Sequence, residues 1–271
     1  VDYAIIIISF IVSLAVGLKF AHRQKTTSNY FIAGGKLPSW AIGISILATL
    51  ISSITFLAYP GEGYSSNLVL LVIVEFIVPL FRQVIKLSAY EYFERRFGVF
   101  ARIYSSLSFL LTHFSKMGSV FFLLALALSK MTGVDTVMFI WIVGIVVIFI
   151  TLLGGMEAIV WLDVIQGFLL IIGGIISLAI ILFTTDGGPS AVWSTAMENG
   201  RIGFGPFDWN FVNLTFVVMC LNGIFYAIQK YGTDQTIVQR YLTAKSDKDA
   251  VKATLLGVLM SVPVWAMFMF I

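Results

Sequence analysis

Long apolar runs, separated by short charged or Gly/Pro-rich breaks, decide the class of protein to which this chain can belong. A membrane-spanning helix needs about 20 largely apolar residues, because that length at 1.5 Å per residue matches a hydrocarbon core about 30 Å thick. Charged residues make up only 11% of the 271 positions, against about 25% in a soluble domain. The sequence therefore predicts an all-α polytopic membrane protein with about eight helices, at residues 1–20, 39–58, 68–81, 104–131, 136–153, 159–183, 211–230 and 252–271.

Lysine and arginine fall mostly on one side of these alternating spans, and the other side has only Lys130 and Arg201. Because cytoplasmic loops are enriched in basic residues, the rich side is predicted to be cytoplasmic and the N-terminus to lie outside. Residues 184–210 then form an external segment of turns with a short surface helix. The rich side holds Lys19, Arg23, Lys25, Lys36, Arg82, Lys86, Arg95, Arg96, Arg102, Lys230, Arg240, Lys245, Lys248 and Lys252.

The sequence has few of the side-chain groupings that functions other than transport require. The net charge of +3 is spread over membrane loops, so no nucleic-acid partner is expected. Cys220 is the one cysteine, which excludes a disulfide framework. His22 and His113 are the only histidines, too few for the paired groups of a membrane-embedded enzyme, and no filter motif of a channel is visible. An enzyme and a channel are therefore remote alternatives.

Two irregularities indicate an incomplete sequence. The third run is too short to cross a membrane and contains Glu75 and Pro79, so we expect residues to be missing between Val72 and Phe76, with a re-entrant segment as the alternative. The chain also ends at Ile271 inside an apolar run, which favours a fragment of a longer protein.

The second run contains several hydroxyl groups at membrane depth, from Ser45, Thr49, Ser52, Ser53 and Thr55. In a plain helix these hydroxyls would bond to carbonyls one turn earlier. Alternatively, unwinding around residues 48–53 would free carbonyls to bind a bare cation and amides to bind a solute, as in secondary transporters. The residues alone leave both interpretations open.

Two charged residues lie within apolar runs and need compensation. Asp163 is flanked by Leu162 and Val164, where an ionised group requires a partner or a cation. Lys116 lies near the middle of its run, where a lysine costs about 2.5 to 3.5 kcal/mol. We expect Lys116 to face a cavity, an anion or a carboxylate such as Glu75.

Polar residues resume directly after the seventh run, in the stretch 229–241. One interpretation is a second discontinuous helix, in which Asp234 and Gln235 face the cavity and contact the solute. The other is a cytoplasmic amphipathic extension anchored by Arg240 and Lys245.

Five segments together resemble the sodium:solute symporter family: NYFIAGGKLPSW at 29–40, SSITF at 52–56, SAYEYFERRF at 88–97, VWLDVIQ at 160–166 and VQRY at 238–241. Within the family, the likeness is greatest to bacterial sodium-coupled sialic acid symporters. The resemblance implies a LeuT-like inverted-repeat fold in one transmembrane domain, residues 1–271, in the cell inner (plasma) membrane. Residues 1–20 would be an extra N-terminal helix, 39–183 the first five-helix repeat, and 211–271 the start of the second.

The resemblance also implies sodium sites. The family's main sodium site uses backbone carbonyls that match Ala48 and Ile51, together with hydroxyls from a helix beyond Ile271. In the sialic acid subgroup, a second sodium position uses a carboxylate that matches Asp163.

For the solute, the resemblance implies contacts from hydroxyls matching Ser52 and Thr55, and we include the adjacent Ser53. Lys116 stands where the subgroup has a carboxylate-binding arginine, and a lysine is a point charge rather than a bidentate fork. Leu50 replaces a hydroxyl residue expected near the solute.

The expected function is sodium-coupled symport of a small organic solute by alternating access, with Na⁺ as the coupling ion and the lipid bilayer as surroundings. The favoured solute is an anionic sugar, sialic acid (N-acetylneuraminate). Another sugar, a monocarboxylate or proline are the alternatives, and no enzyme activity is expected.

Overall fold

The structure, a computed structural model, describes residues 2–51, 77–85, 88–198, 207–209 and 215–271. These ranges are helical with short connections, and they contain no strand beyond one isolated parallel bridge between Leu37 and Ala244. The all-α prediction is confirmed for this part of the chain. The expected gap between Val72 and Phe76 lies outside the described residues.

Four of the described helices are long and apolar enough to cross a membrane, with candidate spans at Tyr3–Ala21, Val99–Thr132, Thr136–Thr184 and Asp247–Phe268. The short helix predicted within residues 184–210 is present at Gly188–Glu198. In chain order the helices are α1 (Asp2–Ala21), α2 (Thr27–Ile32), α3 (Ser39–Leu50), a helical segment at 77–84, α4 (Tyr90–Phe97), α5 (Val99–Thr132), α6 (Thr136–Thr184), α7 (Gly188–Glu198), α8 (Phe216–Ile228), α9 (Gln235–Leu242) and α10 (Asp247–Phe270).

Helix α6 contains two predicted spans, joined at Gly155. This glycine has φ of 57°, and a Cβ atom there would lie 2.9 Å from the carbonyl oxygen of Tyr30. Residues 143–151 and residues 159–166 line the same cavity against α1, so the chain reverses direction at the glycine. The predicted crossings 136–153 and 159–183 are therefore the first and second arms of α6.

Helix α1 runs alongside the first arm of α6. A Cβ on Gly17 would lie 3.3 Å from the Cα of Ile150, so the two backbones are in close contact. At the other end of α1, the Tyr3 hydroxyl donates to the Thr132 carbonyl at 2.5 Å. The C-terminal end of α1 and the turn at Gly155 consequently lie on the same side of the structure, as the alternation of spans predicted.

Helix α3 is the central helix of the described core, and it packs against α6, α9 and α10. Small residues permit this packing: a Cβ on Gly43 would lie 2.8 Å from the Ala253 carbonyl oxygen, and a Cβ on Gly257 would lie 2.9 Å from the Gly43 carbonyl oxygen. Membrane helices associate closely where small residues meet in this way. The backbones of α3 and α10 therefore touch at Gly43 and Gly257.

Candidate functional site

Helix α3 stops inside the predicted span 39–58. Its last residue is Leu50, and Ile51 has extended backbone angles, φ of −93° and ψ of 110°. The hydroxyl of Thr49 bonds back to the Ser45 carbonyl at 2.7 Å, as the plain-helix interpretation expected. The helix itself nevertheless ends where unwinding was predicted, and a helix end leaves its last carbonyls to find partners outside the helix.

Two of the residues predicted to bind sodium, Ala48 and Ile51, lie at this end of α3. Ala48 is in its last turn, and Ile51 is 3% exposed. The three hydroxyl residues predicted to contact the solute, Ser52, Ser53 and Thr55, lie outside the described residues.

A second discontinuity separates α8 from α9. A five-residue π-helical turn, Gln229–Thr233, follows α8, and Asp234 then has extended angles, φ of −78° and ψ of 107°. The backbone therefore leaves the α-helix within a buried stretch, since Tyr231 and Asp234 are each 1% exposed. This geometry supports the discontinuous-helix interpretation. The anchored surface extension is not observed, because Arg240 points into the protein.

The Asp234 side chain, which is fully buried, sits among positive and hydroxyl groups. Its Oδ2 atom accepts from Lys230 Nζ at 2.6 Å. Its Oδ1 atom accepts from the Thr236 backbone N–H at 3.0 Å and from the Thr236 hydroxyl at 2.5 Å, and His113 Nε2 lies 3.7 Å away. Asp234 is thus the N-cap of α9, where a carboxylate also complements the helix dipole.

Lys116 lies on α5, one turn after His113, and close enough to Lys230 and Asp234 to interact electrostatically with both. Within the described ranges, it has no carboxylate within ion-pair distance. Glu75, the carboxylate suggested by the sequence as a partner of Lys116, lies outside those ranges. Lys230 is therefore the lysine paired with Asp234, with Lys116 nearby, and we call Lys116, Lys230, His113 and Asp234 the Asp234 cluster. Among the described residues, this cluster has two lysines for one carboxylate.

The structure also places Gln235 beside this cluster, although its side chain faces the protein. Its Oε1 atom accepts from the Ala89 backbone N–H at 2.9 Å, and the Tyr90 hydroxyl donates to the Thr233 carbonyl at 3.4 Å. These contacts connect the discontinuity to the start of α4. Asp234 and Gln235, predicted as solute contacts, are here engaged with protein groups.

Asp163, on the second arm of α6, contacts two other helices through its Oδ2 atom. Ser45 of α3 donates its hydroxyl at 2.5 Å, and Arg240 of α9 donates from Nη2 at 2.8 Å. Arg240 also donates from Nε to the Ser45 hydroxyl at 2.8 Å and from Nη1 to the Thr236 carbonyl at 2.6 Å. We call Ser45, Asp163 and Arg240 the Asp163 cluster. The requirement for a partner, inferred from the sequence, is met by Arg240.

The Asp163 cluster adjoins the predicted sodium-binding end of α3. Gly167, one turn after Asp163, packs on α3: a Cβ there would lie 3.1 Å from Ile44 Cγ2 and 3.5 Å from Ala48 Cβ. The hydrogen bonds described above all go to Oδ2 of Asp163, and its side chain, together with Gln166, also lines a cavity of about 550 Å³. The structure therefore brings Ala48 and Asp163 to the same contact between α3 and α6.

The C-terminal end of α9 is fixed by Arg82, from the helical segment 77–84. Arg82 donates to the Tyr241 carbonyl at 2.8 Å and to the Ala244 carbonyl at 3.1 Å, and its Nε lies 2.7 Å from an Asp247 carboxylate oxygen. The Leu37 backbone N–H donates to the Thr243 carbonyl at 3.1 Å. Helix α9 is thus held at both ends by charged side chains.

Sequence reasoning did not identify Lys230 and Arg240 as parts of these clusters, or Arg82 as a support of α9. All three were counted as loop charges of the cytoplasmic side, yet their side chains are only 15%, 11% and 13% exposed. The signal that could have found one of them is Asp163 itself, because an acidic residue at membrane depth requires a positive partner on a neighbouring helix.

Comparisons with known proteins agree with this geometry. Residues 30–271 match the sodium:solute symporter family. The sodium/sialic acid symporter NanT of Aliivibrio fischeri is 37% identical over 254 residues, which cover 89% of this chain and 50% of that protein. The sodium/sialic acid symporter SiaT of Proteus mirabilis is 36% identical over 270 residues, which cover 94% of this chain and 54% of that protein.

A solved structure shows the same fold. The substrate-bound, outward-open structure of a Na⁺-coupled sialic acid symporter superposes with a TM-score of 0.88 and 33% identity, over 99% of this chain and 58% of that one. The LeuT-like fold and the likeness to bacterial sialic acid symporters are thereby confirmed. The chain spans about half the length of the curated relatives it matches. It is a multi-pass membrane protein, and it belongs to the sodium:solute symporter family.

Proposed function

We propose that this chain is part of a sodium-coupled symporter that imports an acidic sugar, N-acetylneuraminate or a related sialic acid, across the cell inner membrane. The observation that carries the proposal is that α3 ends at Leu50, inside a predicted span, and that the helix after α8 is interrupted at Gln229–Asp234, each beside a charged cluster. Discontinuous helices of this kind form the ion and solute sites of secondary transporters. The names of the relatives NanT and SiaT support the same substrate class.

For sodium, we propose that the carbonyls of Ala48 and Ile51 bind one ion. Their position at the end of α3 supports this role, because carbonyls beyond a helix end can replace the water around a bare cation. We propose that Asp163 takes part in binding a second ion. Its Oδ2 atom is held by Ser45 and Arg240, and Oδ1 takes none of those bonds.

For the solute, we propose that Lys116 attracts the carboxylate, with hydroxyls of Ser52, Ser53 and Thr55 contacting the sugar. The second lysine of the Asp234 cluster supports an anionic solute, since a lysine at membrane depth needs negative charge nearby. Asp234 and Gln235 would border this site while holding the start of α9 in place.

We propose that the solute is transported without chemical change by alternating access, with sodium and solute stabilising the same outward-facing state. The N-terminus lies outside in this proposal, and residues 1–20, 39–183 and 211–271 form the extra helix, the first repeat and the start of the second. Low cytoplasmic sodium then favours release of both ligands on the inner side.

Uptake of labelled N-acetylneuraminate into proteoliposomes tests the proposal. We expect saturable uptake that requires an inward sodium gradient, and recovery of unmodified sugar from the vesicles. Equal uptake in potassium would overturn the sodium assignment. Saturable sodium-driven uptake of proline, a monocarboxylate or a neutral sugar, without uptake of N-acetylneuraminate, would replace the substrate assignment.

The charge of Lys116 supplies a sharper test of the anionic solute. A hydrogen bond to a charged group contributes about 1.5 to 3 kcal/mol, so Lys116→Gln should weaken the apparent affinity roughly 10- to 100-fold. Lys116→Arg retains the charge and should keep most of the affinity. Unchanged affinity in Lys116→Gln would show that the carboxylate binds elsewhere.

A further inference from the structure

A cavity of about 880 Å³ lies apart from both charged clusters, between the C-terminal end of α1, residues 33–38 and the start of the second arm of α6. Its lining is divided by chemistry. One part is basic and the other is apolar. The basic part consists of Lys19, His22, Arg23, Lys25 and Lys36, and the apolar part includes Val16, Phe20, Trp161 and Ile165.

The basic part of this cavity is not neutralised by the protein. Arg23 is paired with Glu157, Nη1 to Oε1, at 2.9 Å. Lys19, Lys25 and Lys36 are exposed, and within the described ranges none of them forms an ion pair. Glu157 is the one carboxylate in the lining, so three positive charges surround the cavity without compensation.

The apolar part indicates the depth of the cavity in the membrane. Trp161 packs edge-to-face on Trp40, with ring centroids 5.6 Å apart, and tryptophans are enriched at the membrane–water interface. Helix α1 leads from exposed apolar residues such as Ile11, 60% exposed, to Lys19 in its last turn. The cavity therefore spans the boundary between the acyl region and the head groups.

We propose that this cavity binds an anionic phospholipid of the lysine-rich leaflet. Its phosphate is held among Lys19, Lys25 and Lys36, and the start of an acyl chain lies along Phe20 and Trp161. Basic pockets between transmembrane helices bind anionic head groups in this manner. The apolar wall favours a bilayer lipid over free phosphate, which would leave that wall unfilled. This site is independent of the proposed transport activity.

Quenching of Trp161 fluorescence by brominated lipid tests the proposal. The protein is reconstituted in phosphatidylcholine vesicles that contain increasing fractions of brominated phosphatidylglycerol or brominated phosphatidylcholine. The Trp161 signal is the difference between the protein and its Trp161→Phe variant. We expect half-maximal quenching at a lower fraction of the glycerol lipid than of the choline lipid.

Three variants separate the site from general surface charge. Replacing Lys19, Lys25 and Lys36 together by Gln should raise the fraction of anionic lipid needed for half-maximal quenching at least about fivefold. That factor corresponds to the effect of one charge near a membrane surface. The same three positions changed to Arg should bind like the unchanged protein. A matched control removes the same charge on the same predicted side by replacing Lys245, Lys248 and Lys252 with Gln, and it should leave quenching unchanged.

Three results would overturn the proposal. Equal quenching by the two lipids would remove the preference for an anionic head group. An equal loss in the control variant would show that surface potential alone attracts the lipid. Protection from quenching by inorganic phosphate in solution would identify free phosphate, rather than lipid, as the ligand.

Discussion

Removing the guanidinium of Arg240 should leave the Asp163 carboxylate inside the protein without its main partner. The two side chains are 11% and 19% exposed, and their closest atoms are 2.8 Å apart. Breaking a buried ion pair by removing one partner costs about 3 to 5 kcal/mol. Because both side chains are partly exposed, we expect a loss at the lower end of this range. We therefore predict that Arg240→Met lowers the free energy of unfolding by about 3 kcal/mol.

A double-mutant cycle measures how much of this loss comes from the pair. Asp163→Asn removes the negative charge. The loss of unfolding free energy in the double variant should therefore be smaller than the two single losses added together, by roughly 1 to 3 kcal/mol. Unfolding by denaturing detergent, followed by circular dichroism, supplies the free energies. Arg23→Met is the matched control, because Arg23 pairs with Glu157 at 2.9 Å but is 64% exposed. Exposed pairs contribute only about 0 to 1 kcal/mol.

The same unfolding experiment, repeated with added sodium, tests whether Asp163 binds the ion. If Asp163 binds sodium, the carboxylate freed in Arg240→Met should bind it more readily, and added sodium should stabilise that variant more than the unchanged protein. Asp163→Asn should lose this part of the sodium effect. Equal losses in Arg240→Met and Arg23→Met, or strictly additive losses in the double variant, would refute the reasoning.

Two further predictions concern the second discontinuity and the core. Asp234→Ala should lower the free energy of unfolding by about 1 kcal/mol more than Asp234→Asn. Asn can still cap α9, whereas both variants leave Lys230 without its partner. Thermal unfolding of the two variants measures the difference, and equal losses would contradict the capping role. Gly43→Ala should lower the free energy of unfolding by about 1 to 3 kcal/mol, since its Cβ would lie 2.8 Å from the Ala253 carbonyl oxygen. Gly118→Ala in α5, where a Cβ meets nothing within 4 Å, should be neutral or stabilising by up to about 1 kcal/mol. A loss at Gly118 as large as at Gly43 would contradict the packing argument.

Local features of the sequence indicated each break as one of two interpretations. Hydroxyl residues in an apolar run allowed a plain helix or unwinding within residues 48–53, and α3 ends at Leu50. The sudden polarity of residues 229–241 likewise allowed a second break, and the structure has one at Gln229–Asp234. Both predictions rest on a local rule, because lipid does not satisfy polar groups and such groups at membrane depth mark a covered site.

Partners across the fold could not be predicted in the same way. Asp163 and Arg240 are 77 residues apart in the chain, and nothing in the spacing of either residue indicates that α6 and α9 meet. Counting charges by topology assigned Arg240 to a loop, because that method treats every lysine and arginine as a surface residue. The identity of a partner depends on how helices pack, which requires the three-dimensional structure.

The short helix α9 carries a residue of one charged cluster at each end. Asp234 caps its first turn, Arg240 lies in its last turn, and six residues of α-helix separate them by about 9 Å. A helix of this length transmits axial displacement as a rigid body, so in the proposed symport a solute that displaces Asp234 would also displace Arg240 relative to Asp163. For the proposed sodium position at Asp163, thermodynamic reciprocity would then require that solute change sodium affinity by the same factor by which sodium changes solute affinity.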